Sequence, residues 1–410
     1  PAVTDTIGRL RAQSARWPDV ATTQLDAAST AADAGDFPRA GTLARLLRNV
    51  LVRLPAFRKD QAVVSVSAEL IAEPLRQFLA LPAVTARAAP RADTLTYLSE
   101  PLEEVSVTTL GHVTILPPSA GGEPTLLLGG VTAVRRAGVA ATDADPPFPS
   151  GPGATAPTAD GVLALDWNGD YRVDLVLAGA GGVRLFIQDE DGQFASATPA
   201  APAEGPGVNL PSYGAWAADT EMDGDLDLVL GAVSGAPWVL RNNADGSWRP
   251  EQPFPAVEGL RGFVWGDLDR DGDPDAVLLD AAGVVHAVEN LQGGAFQPWS
   301  TPNPSTGVVG LTMGDLDADG WLDLVTLSAA GELWRHAWGD DGWTAASVAQ
   351  DAPVASGGSA GSSRVMAADL DNNGALDLVV SGEAGTALWL SDAQSRLAPL
   401  DVSLSADVFG

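Results

Sequence analysis

Five stretches of the chain place acidic or amide side chains at alternate positions of a short segment. They read DWNGDYRVD from Asp166, DTEMDGDLD from Asp219, DLDRDGDPD from Asp267, DLDADGWLD from Asp315 and DLDNNGALD from Asp369. We name them loops 166, 219, 267, 315 and 369. Counted from the first Asp, oxygen-bearing side chains stand at positions 1, 3 and 5, and an Asp stands at position 9 of every copy. This spacing lets a short loop wrap oxygen ligands around a hard cation.

Calcium is the cation that fits best, because it takes roughly six to eight oxygen ligands in a flexible geometry. Position 7 supplies a backbone carbonyl, so its side chain is free to vary. We therefore predict about five Ca²⁺ sites and no other cofactor. The predicted ligands are Asp166, Asn168, Asp170, Arg172 and Asp174; Asp219, Glu221, Asp223, Asp225 and Asp227; Asp267, Asp269, Asp271, Asp273 and Asp275; Asp315, Asp317, Asp319, Trp321 and Asp323; and Asp369, Asp371, Asn373, Ala375 and Asp377.

Position 6 is a glycine in four of the loops, where a tight turn is made without steric cost. Loop 166 has Tyr171 there and is the copy that departs from the pattern. An EF-hand is excluded, because it needs a Glu at position 12 and flanking helices. Here each loop runs into an aliphatic segment such as DLVLAG or DLVVSG, typical of a buried strand. Soluble acidic turns are the alternative, but five copies in one register favour metal binding.

Successive loops begin 53, 48, 48 and 54 residues apart. A period near 50 built from short strands indicates the blades of a propeller. A second strand follows each aliphatic segment, and an aromatic or aliphatic residue recurs 20 or 21 residues after position 9. These residues are Phe194, Trp248, Phe296, Trp343 and Leu397. The repeat is therefore regular beyond the acidic loop.

The units resemble the FG-GAP or VCBS repeats of integrin-α-type propellers, through the five loops and the segment RNNADGSW, over about residues 160–397. A weaker unit at about 108–150 keeps the strand LLLGG but has Pro117, Ser119, Gly121 and Thr125 at the ligand positions, so it is predicted to be metal-free. The predicted fold is mainly β: a propeller of six or seven blades over residues 91–410. Residues 92–107 and 398–410 are left to close the ring or to supply a seventh blade.

Residues 1–90 are rich in Ala, Leu and Arg and are predicted to form a small helical domain, with helices starting near Pro18 and Pro38 and a third over about 59–79. The turn around Gly35, Asp36 and Phe37 resembles a tetratricopeptide hairpin. A helical cap and a peptide-binding repeat both remain open. Residues 140–160, rich in Pro, Gly and Ala, are predicted to form a long surface loop.

Composition limits the functional classes. The chain has 410 residues, no Cys and a formal net charge of −30. Without a basic face it is not expected to bind nucleic acid, and no apolar run is long enough to span a membrane. Calcium-dependent stability without disulfides favours the periplasm, the cell surface or the medium. The sequence starts at Pro1 rather than Met, which is consistent with a processed chain or with part of a longer one.

No catalytic signature is found. The sequence lacks a phosphate loop, a GxSxG elbow and an HExxH motif. Its three histidines, His112, His286 and His336, occupy different positions of their repeats. The paired acids are committed to the loops, where a cation would lower their pKa values. We therefore expect a protein that is not an enzyme.

The sequence favours a non-catalytic extracytoplasmic module for protein interaction, adhesion or scaffolding, with a protein or surface polymer as its partner. One alternative is a structural subunit of a larger surface filament or membrane-associated complex. Another is a secreted enzyme acting on polysaccharide or lipid through a site that the motifs do not reveal. Trp321 at position 7 of loop 315 is expected to face solvent and to be available to a partner.

Overall fold

The computed structural model describes residues 11, 19–35, 40, 43, 110–116, 124–198, 207–243, 247–291, 293–339, 341–392 and 394–400. The chain divides into two compact units. One comprises Pro1–Thr85 and Met222–Gly224, and the other comprises Ala86–Glu221 and Asp225–Gly410. The proposed domain boundary near residue 90 stays a prediction.

The described residues of the second unit form six antiparallel sheets, which we number as blades 1 to 6. Blade 1 consists of β1 (Leu110–Leu116), β2 (Thr125–Gly130) and β3 (Val134–Arg136). Blade 2 consists of β4 (Val162–Leu165), β5 (Asp174–Gly179), β6 (Gly182–Gln188) and β7 (Phe194–Ser196). Blade 3 consists of β8 (Ser212–Ala218), β9 (Asp227–Ala232), β10 (Trp238–Asn242) and β11 (Trp248–Glu251).

The remaining three blades repeat the same plan. Blade 4 consists of β12 (Gly262–Gly266), β13 (Asp275–Leu279), β14 (Val285–Asn290) and β15 (Phe296–Pro298). Blade 5 consists of β16 (Val308–Gly314), β17 (Asp323–Ser328), β18 (Leu333–Gly339) and β19 (Gly342–Ala349). Blade 6 consists of β20 (Ser363–Ala368), β21 (Asp377–Gly382), β22 (Gly385–Ser391) and β23 (Leu397–Leu400). A 3-10 turn covers Gly207–Asn209 between blades 2 and 3.

Strands follow one another within each blade in chain order, and each pairs antiparallel with the next. The fold is a six-bladed β-propeller, which decides between the six and seven blades that the sequence left open. Leu397–Leu400 forms the outer strand of blade 6 rather than part of a further blade. The remaining residues proposed for ring closure, 92–107 and 401–410, lie outside the described residues.

The second strand of each acidic repeat is apolar because it packs between two neighbouring blades. In β5 and β9 every residue is buried. One core cluster joins Val176 and Leu185 of blade 2 to Leu228 and Leu230 of blade 3. Further clusters of the same kind join blades 1 and 2, 3 and 4, 4 and 5, and 5 and 6. A strand buried on both faces reads as a continuous aliphatic run, which is what the sequence shows.

The segment 140–160 differs from the expected surface loop. Phe148 is 6% exposed and packs in the core cluster of blades 1 and 2. Its backbone N–H donates to the carbonyl of Thr132, and Pro147 forms a bridge with Ala133. The middle of the segment therefore runs along the outer side of blade 1. Proline lacks a backbone N–H and restricts φ, so the segment anchors here without forming a regular strand.

The first unit is described over one helix, α1 (Asp19–Asp33), which begins directly after Pro18 in the sequence. Leu25 and Ala28 are buried on it. The proposed second helix is described only at Ala40 and Leu43. The tetratricopeptide resemblance therefore stays a prediction, and the third helix lies outside the described residues. Within the described part of the chain, no helix has the length and apolarity needed to cross a membrane.

Candidate metal centres

All five acidic loops lie at the same place in their blades. Each connects the first strand to the second, and the Asp at position 9 is the first residue of the second strand. This confirms that the loops join strands rather than helices. Because every blade repeats the same strand order, the five loops lie at corresponding edges of blades 2 to 6.

The loop backbone is the same in all five copies. Positions 4 and 6 adopt the left-handed conformation in each; the residues at position 4 are Gly169, Met222, Arg270, Ala318 and Asn372, and those at position 6 are Tyr171, Gly224, Gly272, Gly320 and Gly374. Tyr171 has φ 67° and so takes the glycine conformation. At positions 4 and 6 the backbone of loop 166 therefore matches that of the other copies. The five copies also share the left-handed turn at position 4, which the sequence did not reveal.

The Asp at position 1 closes the turn in loops 166, 267, 315 and 369. In loop 369 the carboxylate of Asp369 accepts hydrogen bonds from the backbone N–H groups of Asn373 and Gly374, at 2.9 and 2.8 Å. Asp315 accepts the corresponding bonds from Asp319 and Gly320 at 3.0 and 2.9 Å. Asp166 does the same in loop 166, with Asp170 and Tyr171. In loops 166, 315 and 369 the carboxylate at position 1 therefore holds the backbone of positions 5 and 6 close to itself.

The Asp at position 9 is the most buried acid of each loop. Its exposure is 0% for Asp174, Asp227 and Asp377, 1% for Asp275 and 3% for Asp323. One oxygen accepts the N–H of position 2, as in the 3.0 Å bond from Leu316 to Asp323. In four blades the other oxygen accepts an N–H of the third strand, from Gln188, Asn242, Asn290 and Ser391. In these four blades the oxygen that accepts from the third strand still has a second lone pair for a cation, whereas Oδ2 of Asp227 accepts from both the N–H and the hydroxyl of Thr220.

Burial raises the pKa of these acids when no cation is bound. The pKa of Asp227 rises to about 6, and the pKa values of Asp275 and Asp323 rise to about 7. Hydrogen bonds from the backbone oppose the rise, and the neighbouring loop acids add to it for Asp275 and Asp323. Carboxylates crowded at low exposure resist ionisation unless a positive charge joins them.

Three loops bring three carboxylate oxygens within 4.8 Å of one another, close enough to share one ion. The groups are Asp267, Asp269 and Asp271; Asp315, Asp317 and Asp323; and Asp369, Asp371 and Asp377. Among the described residues, no group this compact occurs in loops 166 and 219. Oδ1 of Asp317 is buried, and no described residue hydrogen-bonds to it. A hard divalent cation fits these all-oxygen groups.

Position 7 behaves as a backbone position with a variable side chain. The N–H of Trp321 donates to Asp319 at 2.9 Å, and the N–H of Ala375 donates to Asn373 at 2.7 Å. The side chain of Trp321 is 45% exposed, which confirms that it faces solvent. Asp273 is 3% exposed despite its charge, so its side chain is not free in the way the sequence indicated.

Arginines lie against three of the loops. Arg172 contacts Asp170 at 2.6 Å from within loop 166. Arg241 of β10 pairs with Glu221 of loop 219, and Arg335 of β18 contacts Asp317 and Asp323 of loop 315. Sequence reasoning missed the last two arginines because they come from the third strand of the blade. The strand register brings them close, since Leu228 pairs with Leu240 and Val325 pairs with Arg335.

The histidines have structural partners. His336 is 0% exposed, hydrogen-bonds to Thr326 at 2.9 Å, and has its pKa lowered to about 4 by burial. His112 is 7% exposed, and burial together with Arg364 lowers its pKa to about 4. His286 contacts Asp280 at 2.9 Å. Asp280 also accepts two backbone N–H groups of the following turn, so it anchors that turn.

A cavity of about 430 Å³ lies among the first strands of blades 3 to 6. Its wall includes Asp160, which accepts from Arg364 and from the Trp216 side chain. Arg364 also donates to the carbonyl of Ala159 at 2.8 Å. These polar groups are engaged with one another and connect blade 6 to the segment before blade 2.

Comparisons with known proteins agree with this geometry. The family model described as FG-GAP-like repeat matches residues 166–230, 219–278, 267–326 and 315–380, which together span just over half of the chain. No curated protein matches the sequence.

Among solved structures, an Agrocybe aegerita lectin that recognises non-reducing terminal N-acetylglucosamine is 21% identical with a TM-score of 0.48, covering 72% of this chain and 80% of its own. The periplasmic gluconolactonase PpgL of Pseudomonas aeruginosa is 15% identical with a TM-score of 0.43, covering 74% of this chain and 87% of its own. These two likenesses carry no functional argument. The four matched repeats, which overlap from one blade to the next, show that the chain belongs to the FG-GAP-like repeat family.

Proposed function

We propose that this chain is a calcium-stabilised, non-catalytic propeller that serves outside the cytoplasm as a protein-interaction, adhesion or scaffold module. The observation that carries the proposal is the repetition of one loop backbone in five blades, with left-handed residues at positions 4 and 6. In three of these loops the carboxylates already converge within 4.8 Å. The backbone conformation at positions 4 and 6 is shared although the side chain at position 7 varies. This combination fits loops that all bind the same ligand.

Calcium would act on the folded state. It would replace repulsion between the loop carboxylates by attraction to a shared cation, and it would hold them ionised. A free calcium concentration tenfold above the dissociation constant would add roughly 1.4 kcal/mol per site to the free energy of unfolding. This support is available where free calcium is millimolar, which favours the periplasm, the cell surface or the medium. The chain has no cysteine, so disulfides cannot supply it.

The described histidines do not form a catalytic group. His336 and His112 are buried, and their lowered pKa values keep them neutral near pH 7. The central cavity has its acid and its arginine engaged with each other. A general acid or base must reach a substrate proton, and these groups instead satisfy backbone and side-chain partners. Binding is therefore the function that the described groups suit better.

The loop edge also offers a surface to a partner. Trp321 is 45% exposed there, and the guanidinium of Arg270 lies 4.2 Å from its ring centroid. Aromatic side chains held in place lose little entropy on binding and are frequent anchors of protein interfaces. Bound calcium would order the loops at this edge and would thereby favour the binding of a protein or surface polymer.

The test is to isolate the protein from its native source in millimolar calcium and to identify co-purifying molecules by mass spectrometry. EGTA elution is compared with elution in buffer alone. A stoichiometric protein released by EGTA supports the interaction function, and high-order particles on native gels would identify a subunit of a larger assembly. A chain that purifies alone and turns over a polysaccharide or phospholipid would overturn the proposal.

A further inference from the structure

Three tryptophans from blades 4 and 5 meet in one cluster. The ring centroids of Trp299 and Trp338 are 4.4 Å apart, and Trp343 lies 5.3 Å from Trp299 and 5.4 Å from Trp338. All three are partly exposed. Trp299 and Trp343 also pack against the core between the two blades, and Nε1 of Trp343 donates to the Ser300 carbonyl at 2.7 Å. Trp299 and Trp343 are therefore anchored in the core, and all three side chains keep an exposed part.

A fourth tryptophan is tied to this cluster by one arginine. The guanidinium of Arg270, in loop 267, lies 4.2 Å from the ring centroid of Trp321, in loop 315. The same guanidinium donates to the backbone carbonyl of Trp338 at 3.3 Å. We call Trp299, Trp321, Trp338 and Trp343 together the tryptophan face. Arg270 is an internal example of a guanidinium stacked on this face.

An exposed acid, Asp341, lies two residues before Trp343 in the β18–β19 hairpin. Asp271 of loop 267 and Asp319 of loop 315 are proposed calcium ligands and are engaged when calcium is bound. The whole chain carries a net charge of −30. Carboxylates beside exposed indole rings attract a cation and orient it over the rings. An anionic ligand would be repelled, and a neutral one would not use the charges.

We propose that the tryptophan face docks an arginine-rich segment of a partner protein. Arginine fits better than lysine, because its planar guanidinium stacks on an indole ring and remains free to donate to a carboxylate such as that of Asp341. The inference rests on the proposed interaction function and adds to it the chemical class of the partner. It also gives the variable position 7 of loop 315 a role in partner choice.

The test uses fluorescein-labelled peptides in which arginine alternates with glycine and serine, with lysine replacing arginine in the comparison peptide. Binding is measured by fluorescence anisotropy in calcium buffer. Trp321→Ala is the main variant, since position 7 needs only its backbone for the loop. Trp338→Leu is the second. Tyr171→Gly is the matched control, because it removes an exposed aromatic residue from a loop outside the face and installs the glycine of the other copies.

We expect Trp321→Ala and Trp338→Leu each to weaken binding of the arginine peptide by about threefold to tenfold, and Tyr171→Gly to leave it unchanged. The lysine peptide should bind more weakly. Equal affinity of all variants, or of both peptides, would mean bulk charge attraction and would overturn the proposal. The neutral oligosaccharide chitotriose is tested as well. If Trp321→Ala weakens the binding of chitotriose but not that of the arginine peptide, the proposal is also overturned.

The two levels of inference fail separately. If a partner co-purifies in a calcium-dependent manner but the arginine peptide does not bind, the interaction function stands and the tryptophan face is wrongly assigned. If neither a partner nor the peptide binds, both are wrong.

Discussion

The carboxylate of Asp377 accepts the backbone N–H of Ser391 at 2.7 Å, which fastens the start of β21 to the end of β22. Its other oxygen accepts the N–H of Leu370 in loop 369, also at 2.7 Å. Asp377 is fully buried. The last acid of the loop is therefore a structural clamp as well as a candidate ligand, and these two roles can be separated by experiment.

Asp377→Ala should destabilise the protein with or without calcium. The substitution leaves the buried N–H of Ser391 and the partly buried N–H of Leu370 without their acceptor, at a cost of about 1–3 kcal/mol for a fully buried unsatisfied group. The free energy of unfolding, measured by chemical denaturation, should fall by this amount in EGTA. It should fall further in calcium, because a proposed ligand is lost as well.

Asp371→Ala is the matched variant at position 3 of the same loop. It removes a proposed ligand but leaves the clamp, so its loss of stability should be confined largely to calcium buffer. Should both variants lose the same stability in EGTA, the distinction between clamp and ligand is wrong.

The stabilisation by calcium should weaken as pH falls. In the calcium-free protein, burial raises the pKa values of Asp275 and Asp323 to about 7. Between the ordinary carboxyl pKa of 3.8 and about 7, the folded state binds more protons than the unfolded state, so stability of the calcium-free protein falls as pH rises. Calcium needs the ionised carboxylates and competes with these protons.

The measurement is the difference in melting temperature between calcium and EGTA buffers as a function of pH. It should be largest above pH 7 and shrink towards the acid end of that window. Groups that titrate in the same way in both buffers do not contribute to this difference in melting temperature. A difference that stays constant through the window would contradict ionised Asp275 and Asp323 as ligands.

Arg335→Gln should raise the calcium affinity of loop 315. The guanidinium lies against Asp317 and Asp323, two members of the compact carboxylate group, so it competes with a cation for the same oxygens. Removing a positive charge at this distance should strengthen binding by about tenfold, or about 1.4 kcal/mol. Calorimetric titration measures it, and Arg396→Gln, an exposed pair partner of Asp392 outside the loops, is the control. Weaker binding in Arg335→Gln would mean that the arginine supports the site.

His336 should make the protein sensitive to acid. Burial lowers its pKa to about 4, below the ordinary 6.5, so its contribution to stability is present above pH 6.5 and is lost as pH falls towards 4. His336→Gln keeps a group that can hydrogen-bond Thr326 but does not titrate. As pH falls from 6.5 towards 4, the free energy of unfolding should decrease more for the wild type than for His336→Gln. A gap that does not change with pH would contradict the lowered pKa.

The sequence predicted the propeller because its repeat combines two independent signals. The acidic loop marks the turn between the first two strands, and the aliphatic run that follows has a physical cause in burial between blades, as in β5 and β9. The residues found 20 or 21 positions later, such as Phe194 and Phe296, start or nearly start the outer strands. These features are local in the chain, so pattern reasoning recovers them.

Other features depend on contacts between distant residues. Arg335 reaches loop 315 through the pairing of β17 with β18, and Trp299 meets Trp338 across two blades. The acceptor roles of Asp174 and Asp377 also come from strand register. Neither spacing nor residue type reveals such contacts. The burial of Phe148 could not be predicted either, because a single buried ring in a Pro-rich segment produces no apolar periodicity.

Calcium binding by the five loops underlies the proposed function. The decisive measurement is the number of calcium ions per chain after dialysis, determined by elemental mass spectrometry, for the wild type and for the triple variant Asp269→Ala, Asp317→Ala and Asp371→Ala. We predict about five ions for the wild type, and for the triple variant only those of loops 166 and 219, with a lower melting temperature in calcium but not in EGTA. A wild type without bound calcium, or a triple variant that binds as much as the wild type, would contradict the account.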